Sequence, residues 1–346
     1  MITRILTIAY IIVAQLLVGQ SLPSAFNEQS IQVDSSGNYA FIVSGHFHGS
    51  GTNRTGYPTN SLLANLDWIN KSESNFVICL GDLFLDVSHD IPFYEKSFFS
   101  KLNLPLYNAV GNHDLTDQIY QDHFGKTYYY FEINGDTHII LDTELDDGSI
   151  EGEQLKLLQD LNLKFKSESP KNIFIYSHRT IWSKHYSELD GLFGDNTQSV
   201  LGNNFKTAVQ PLLNTWVANS NVYWFSGSLG NAPASFFHFK DDQSIIYIAT
   251  AIRGLQRDAV LKVSVSNGKP EFTTKSFTGQ ELQSLEAYNV EFWKTKNGVE
   301  PFNFRLVPYY LKSMLSHRYF WYGVIFTILI VLTGIILKRM RKSTSS

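Results

Sequence analysis

The chain has 346 residues, of which 43% are hydrophobic and 14% aromatic, so a substantial core can form and disorder is excluded as the general state. A formal net charge of -4 with a pI near 6.2 gives no electrostatic reason to expect nucleic acid as a partner. The single cysteine, Cys79 in NFVICL, rules out an internal disulfide and reads as a small core hydrophobe.

In chain order, residues 1–21 come first. An early Arg4, an apolar run from Ile5 to Val18 and then small residues give the pattern of a secretory signal peptide, with cleavage expected between Gln20 and Ala25. Tyr39–Ser44 is an apolar run that predicts a buried strand. A loop rich in Gly, Thr and Asn follows, then a helix over Ser61–Asn70 with Leu62, Leu66 and Ile69 on one face. Phe76–Leu80 and Leu106–Val110 predict two further strands, and TYYYFEI and THIILDT a hairpin around Asn134-Gly135. GEQLKLLQDLNL predicts an amphipathic helix, and NIFIYSH, NVYWFSG, SIIYIAT and AVLKVSV four more strands. This alternation predicts an α/β domain over residues 39–270 with two packed sheets. Residues 271–318 mix charge with aromatics and read as a stalk or juxtamembrane segment.

Residues 319–337 carry no charge and are long enough to cross a bilayer core of about 30 Å. Tyr319, Phe320, Trp321 and Tyr322 form an aromatic edge, and the basic tail 338–346 carries Lys338, Arg339, Arg341 and Lys342. The positive-inside rule puts this tail in the cytoplasm and the body outside it, periplasmic or extracellular, in agreement with the signal peptide. Sequons stand at Asn53 and Asn70.

Residues able to bind metal follow the ends of the predicted strands. They are His46 and His48, Asp82, then Asn112, His113 and Asp114, then His178. Carboxyl ends of strands in α/β sheets are where ligands bind, and His, Asp and Asn supply nitrogen and oxygen donors for Zn, Mn or Fe. Asp86 and Asp90 read as solvated loop carboxylates, and Tyr128–Tyr130 as core and edge aromatics.

In this order and spacing, GDLF, GNHD and YSH resemble the calcineurin-like metallophosphoesterase family, with the likeness extending from about Tyr39 to Val265. The resemblance implies a four-layer αββα sandwich of two mixed sheets. It also implies a site of one or two divalent ions (Mn, Fe or Zn). Asp82 would bridge the metals, and His46, His48, Asn112 and His178 would be the other ligands. His113 would be the general acid or transition-state stabiliser, and Asp114 would orient it. The implied substrate is a phosphomonoester or phosphodiester, and the chain would be a metal-dependent hydrolase. The alternative is a non-catalytic metal- or phosphate-binding or scaffold protein on a degenerate form of the fold.

The chain departs from the family pattern at both ends. His46 stands where the family opens with an aspartate, and Ser228-Leu229-Gly230-Asn231 stands where it closes with Gly-His-x-His. One carboxylate fewer weakens attraction for two divalent ions, so a single-metal site or an easily emptied second position is expected. His185 and His238 are the remaining candidates for the vacant ligand positions.

Overall fold

The computed structural model describes residues 23–33, 36–193, 203–230, 232–254, 256–295, 304, 307–316 and 318–343. The predicted signal peptide and the last residues of the basic tail lie outside the described residues.

The strands are β1 Tyr39–Ser44, β2 Phe76–Cys79, β3 Leu106–Asn108, β4 Tyr129–Ile133, β5 Asp136–Ile140, β6 Asn172–Ser177, β7 Asn221–Ser226, β8 Phe236–Lys240, β9 Ile246–Thr250, β10 Ala259–Ser266 and β11 Lys269–Ser276. The helices are α1 Asn60–Ala64, α2 Leu66–Asn70, α3 Val87–Ser97, α4 Ile119–Phe124, α5 Gly152–Ser167, α6 Gln210–Trp216, α7 Val290–Thr295, α8 Val307–Ser316 and α9 Arg318–Ser343.

One sheet has the order β11-β10-β1-β2-β3 and the other β4-β5-β6-β7-β9-β8. In the first sheet β1, β2 and β3 are parallel, and β10 runs antiparallel to β1. In the second, β5, β6, β7 and β9 are parallel, flanked by antiparallel β4 and β8. Side-chain parity along the strands builds three cores. Phe41 and Val43 of β1 face the second sheet, joining Ile140, Phe174, Tyr176, Phe225 and Ile248 between the sheets. Ile42, Val77 and Cys79 face the other way, onto Leu62, Leu66, Ile91 and Tyr94 of α1, α2 and α3. Ile173, Ile175 and Trp224 meet Leu158, Leu161, Phe165 and Leu213 of α5 and α6. The result is the four-layer αββα sandwich of two mixed sheets.

The hairpin turns at Asn134-Gly135 as predicted, with φ of 52° and 84°, the left-handed pair a type I′ turn requires. The helix expected over Ser61–Asn70 is instead two helices, α1 and α2. Asn65 breaks it: its side-chain amide donates to the Ser61 carbonyl at 2.8 Å and to the Phe277 carbonyl at 3.0 Å. The stalk expected from residue 271 begins later. Lys269–Ser276 pairs along its whole length with β10, and Leu285, Tyr288 and Trp293 are buried in the cores. Its alternating charged and apolar residues are those of an edge strand with one wet face.

Candidate metal centre

The sheets converge at the carboxyl ends of their parallel strands. Just past β1, Gly45 bridges to Ala251 just past β9, so the two sheets touch at this edge. The His46 amide donates to the Gly81 carbonyl at 2.9 Å, which ties the end of β1 to the turn after β2. His46 and Asp82 adopt left-handed backbone conformations, φ 56° and 52°. Such conformations are unfavourable for residues with a Cβ and concentrate at functional sites. The turn itself needs Gly81: a Cβ there would stand 2.5 Å from His178 Nδ1 and 2.6 Å from the Ala109 carbonyl oxygen. At Gly227 a Cβ would fall 2.0 Å from the Leu80 carbonyl oxygen, so only glycine lets β7 close on this edge.

Three imidazoles surround one carboxylate oxygen. Asp82 Oδ2 lies 3.3 Å from His46 Nδ1, 3.7 Å from His48 Nε2 and 3.6 Å from His178 Nε2. Ligand atoms of His46, Asp82 and His178 all lie within 4.8 Å of one another. His178 Nδ1 donates to the Leu80 carbonyl at 2.8 Å, which leaves the Nε2 lone pair facing Asp82. His46 Nε2 and both ring nitrogens of His48 are buried and have no hydrogen-bond partner. Buried polar atoms without partners are costly, and a cation beside Asp82 would satisfy His48 Nε2, the unpartnered nitrogen that faces it. This N-rich donor set with one carboxylate fits one divalent ion of the Zn, Fe or Mn kind.

The electrostatics agree with that geometry. Burial opposes ionisation of Asp82, yet the neighbouring His178, His46 and His48 outweigh it and hold its carboxyl well below the usual range. Burial drives the His46 pKa well down against the pull of Asp82. For His178 burial works downward too, but Asp82, with Glu144 behind it, leaves the pKa raised.

His113 stands beside this cluster, its ring 5.4 Å from that of His48. Its backbone amide donates to Asp82 Oδ1 at 3.2 Å and its Nδ1 contacts the Leu85 carbonyl at 3.0 Å. The ring partner is Leu85, while Asp114 holds the turn that carries His113. Asp114 is fully buried and accepts from the amides of Phe84 and Gly111 and from the Asn108 side chain. Burial first, and the charge of Asp82 second, raise its pKa to about 7. Asn112 is exposed on the same turn. His185 bonds Asn203 and stacks on Phe205, and His238 is on β8, so neither fills a vacant ligand position.

Several contributors were not legible in the sequence. Asp90, expected in solvent, is buried and accepts from the amides of Leu85 and Asp86, fixing the peptide that receives His113. Asp86 caps α3 through the Ser88 amide. Arg179, next to His178, grips Glu144 with its guanidinium. Arg253 follows β9 at the same edge, donates to the Gly230 carbonyl, and its charge is felt at His46. Only the strand-end position of Arg253, eight residues after Ile245, offered a signal.

This fold and cluster define an α/β protein of two packed mixed sheets with a buried His/Asp centre at their shared edge. Among solved structures the chain is similar to a dimetal phosphatase from Danio rerio, at 11% identity and a TM-score of 0.46, over 72% of this chain and 99% of that one. It is also similar to a purple acid phosphatase from yellow lupin (Lupinus luteus) seeds, at 10% identity and a TM-score of 0.47, over 74% of this chain and 54% of that one. No protein-family model matches the chain, and no curated protein matches its sequence.

Proposed function

We propose that the chain is a membrane-anchored, metal-dependent phosphoesterase of the calcineurin-like metallophosphoesterase family, acting outside the cytoplasm on a phosphomonoester or phosphodiester. The observation that carries this reading is the gathering of three buried imidazoles, His46 Nδ1, His48 Nε2 and His178 Nε2, around Asp82 Oδ2, with His48 Nε2 lacking a hydrogen-bond partner. His46, His48, Asp82 and His178 would hold the ion. A divalent ion there supplies charge neutralisation for a phosphoryl group and a hydroxide near neutral pH. His113, with Nδ1 held by Leu85, turns Nε2 outward to protonate a leaving oxygen. Asp90 and Asp114 position the two backbone turns on which His113 rests. With Asn112 exposed and one carboxylate fewer than the family pattern, a single-ion site is the better-supported form.

The signal peptide (1–21), the membrane span (319–337) and the cytoplasmic tail (338–346) belong to the same proposal. Its support is the wholly exposed apolar helix Arg318–Lys338 of 21 residues, about 30 Å long at 1.5 Å per residue.

The test loads the protein separately with Mn, Fe and Zn and assays generic phosphate mono- and diesters beside His113→Ala. The expected result is one ion per chain in both proteins and turnover that falls about 10²–10⁴-fold in the variant. Metal bound without turnover on any ester would favour a non-catalytic binding protein.

A further inference from the structure

Helix α8 presents an exposed apolar stripe. Leu311, Met314 and Leu315 are 49%, 42% and 48% exposed and fall at i, i+3 and i+4, one face of a helix. Phe304 just before it is 80% exposed. Beyond it α9 opens with exposed Tyr319, Trp321 and Tyr322, the aromatic group that sits at a bilayer–water boundary. An apolar stripe joined directly to such a boundary is suited to lie in the headgroup region. The polypeptide itself therefore indicates what covers it: a bilayer entered a few residues later.

α8 also packs against α1. α1 starts at the site. The Thr59 amide just before it donates to the carbonyl of Phe47, which lies between His46 and His48, at 2.9 Å. Gly49 sits so close to Thr59 that a Cβ on it would be 2.7 Å from Thr59 Cβ. With five residues, α1 is only about 7.5 Å long. The boundary helix is thus one short helix away from the loop that carries two of the candidate ligands. The opposite edge of the sheet, at the Asn267-Gly268 turn, is a full strand away, about 20 Å.

We infer that the apolar stripe of α8 seats in the bilayer interface and turns the His46–His48 edge toward the membrane, so that the phosphate group this site takes is one presented at the membrane surface. The inference rests on the proposed membrane span and, for its substrate class, on the phosphoesterase reading. A site tethered and facing the interface meets lipid headgroup phosphates without diffusing to them. A soluble ester would have to enter between the domain and the bilayer.

The experiment uses the full chain in vesicles of phosphatidylcholine and phosphatidylglycerol. Single cysteines Leu311→Cys, Leu315→Cys, Tyr57→Cys and Asn267→Cys are labelled with an environment-sensitive fluorophore, while native Cys79 is buried in β2. Labels at 311 and 315 are expected to be quenched at least threefold more than that at 267 by headgroup nitroxide lipids. Energy transfer to a headgroup acceptor is expected to be greater from 57, in the site loop, than from 267. Equal quenching at 311, 315 and 267 would overturn the inference, as would equal transfer from 57 and 267. Self-quenching between labelled chains at 311 without lipid quenching would assign the stripe to a second copy and also overturn it. Metal-loaded chain is then given phosphatidic acid in the same vesicles or p-nitrophenyl phosphate in solution. At least tenfold faster turnover of the vesicle ester supports the substrate class, and the reverse ranking overturns it. Turnover of neither ester, and none of the vesicle phosphatidylglycerol diester or of bis(p-nitrophenyl) phosphate, would remove the phosphoesterase reading and the substrate class with it, while the label positions still decide the orientation.

Discussion

Gly81 and Gly125 have the same φ, 82°, but not the same surroundings. A Cβ at Gly125 meets nothing within 4 Å, whereas one at Gly81 would run into His178 and the Ala109 carbonyl. Gly125→Ala therefore carries only the cost of its own backbone, φ 82° and ψ −145°, a region nearly confined to glycine, about 1–3 kcal/mol. Gly81→Ala adds a clash with backbone and with a ligand that is itself pinned to Leu80, so its loss in urea unfolding should exceed the Gly125→Ala loss by about 2 kcal/mol or more. It should also abolish metal binding, which Gly125→Ala leaves intact; equal losses would show that the turn is not tightly packed. At this scale the glycine before Asp82 was readable as a sharp turn. The reason no other residue fits, contact with His178 just past the distant strand β6, was not.

Between the elements, β1 is stapled to the second sheet by a buried polar chain. Tyr39 Oη donates to Asp136 Oδ2 at 2.7 Å, so His138 Nε2, 3.1 Å from Tyr39 Oη, must be the protonated nitrogen. His138 Nδ1 then accepts from Tyr176 Oη at 2.9 Å. Burial alone pushes His138 down to about 3. Its folded pKa thus lies below the unfolded value of about 6.5, and the unfolded chain binds the extra proton. Stability from this group is complete above about pH 6.5 and drains away as pH falls toward 3, at about 1.4 kcal/mol per pH unit. His138→Phe should flatten the pH dependence of the urea midpoint between pH 4 and 6 by that slope; an unchanged slope would show that His138 ionises freely in the fold. Its hydroxyl neighbour Tyr176 would lose a partner, at a cost of about 1–3 kcal/mol. THIILDT read as a strand, but a histidine within it gave no sign of which neighbours would satisfy it.

Over the whole molecule, the chain is fastened from its first described residues. Ser24 Oγ donates to the Leu106 carbonyl, Asn27 Nδ2 to the Leu102 and Leu104 carbonyls, and Phe26 stacks on Phe124 at 4.5 Å. If the proposed signal peptide is removed, cleavage after Ser24 would cut into this anchor, so intact-mass analysis of the membrane-bound protein should place the mature N-terminus at Ser24 or earlier. A start beyond Ser24 would mean that the anchor is dispensable. The sequence by itself determined the strand order of events along the chain, the apolar C-terminal helix, and the strand ends carrying His46, His48, Asp82, His113 and His178. These follow from local periodicity and from glycine at sharp turns, which need no knowledge of distant partners. Only the tertiary structure decided which residues meet. It drew His46, His48 and His178 around Asp82, gave His113 to Leu85, buried Asp90 and made an edge strand of part of an expected stalk. Each of these depends on contacts between segments far apart in sequence, where burial and hydrogen-bond satisfaction, not local propensity, set the outcome.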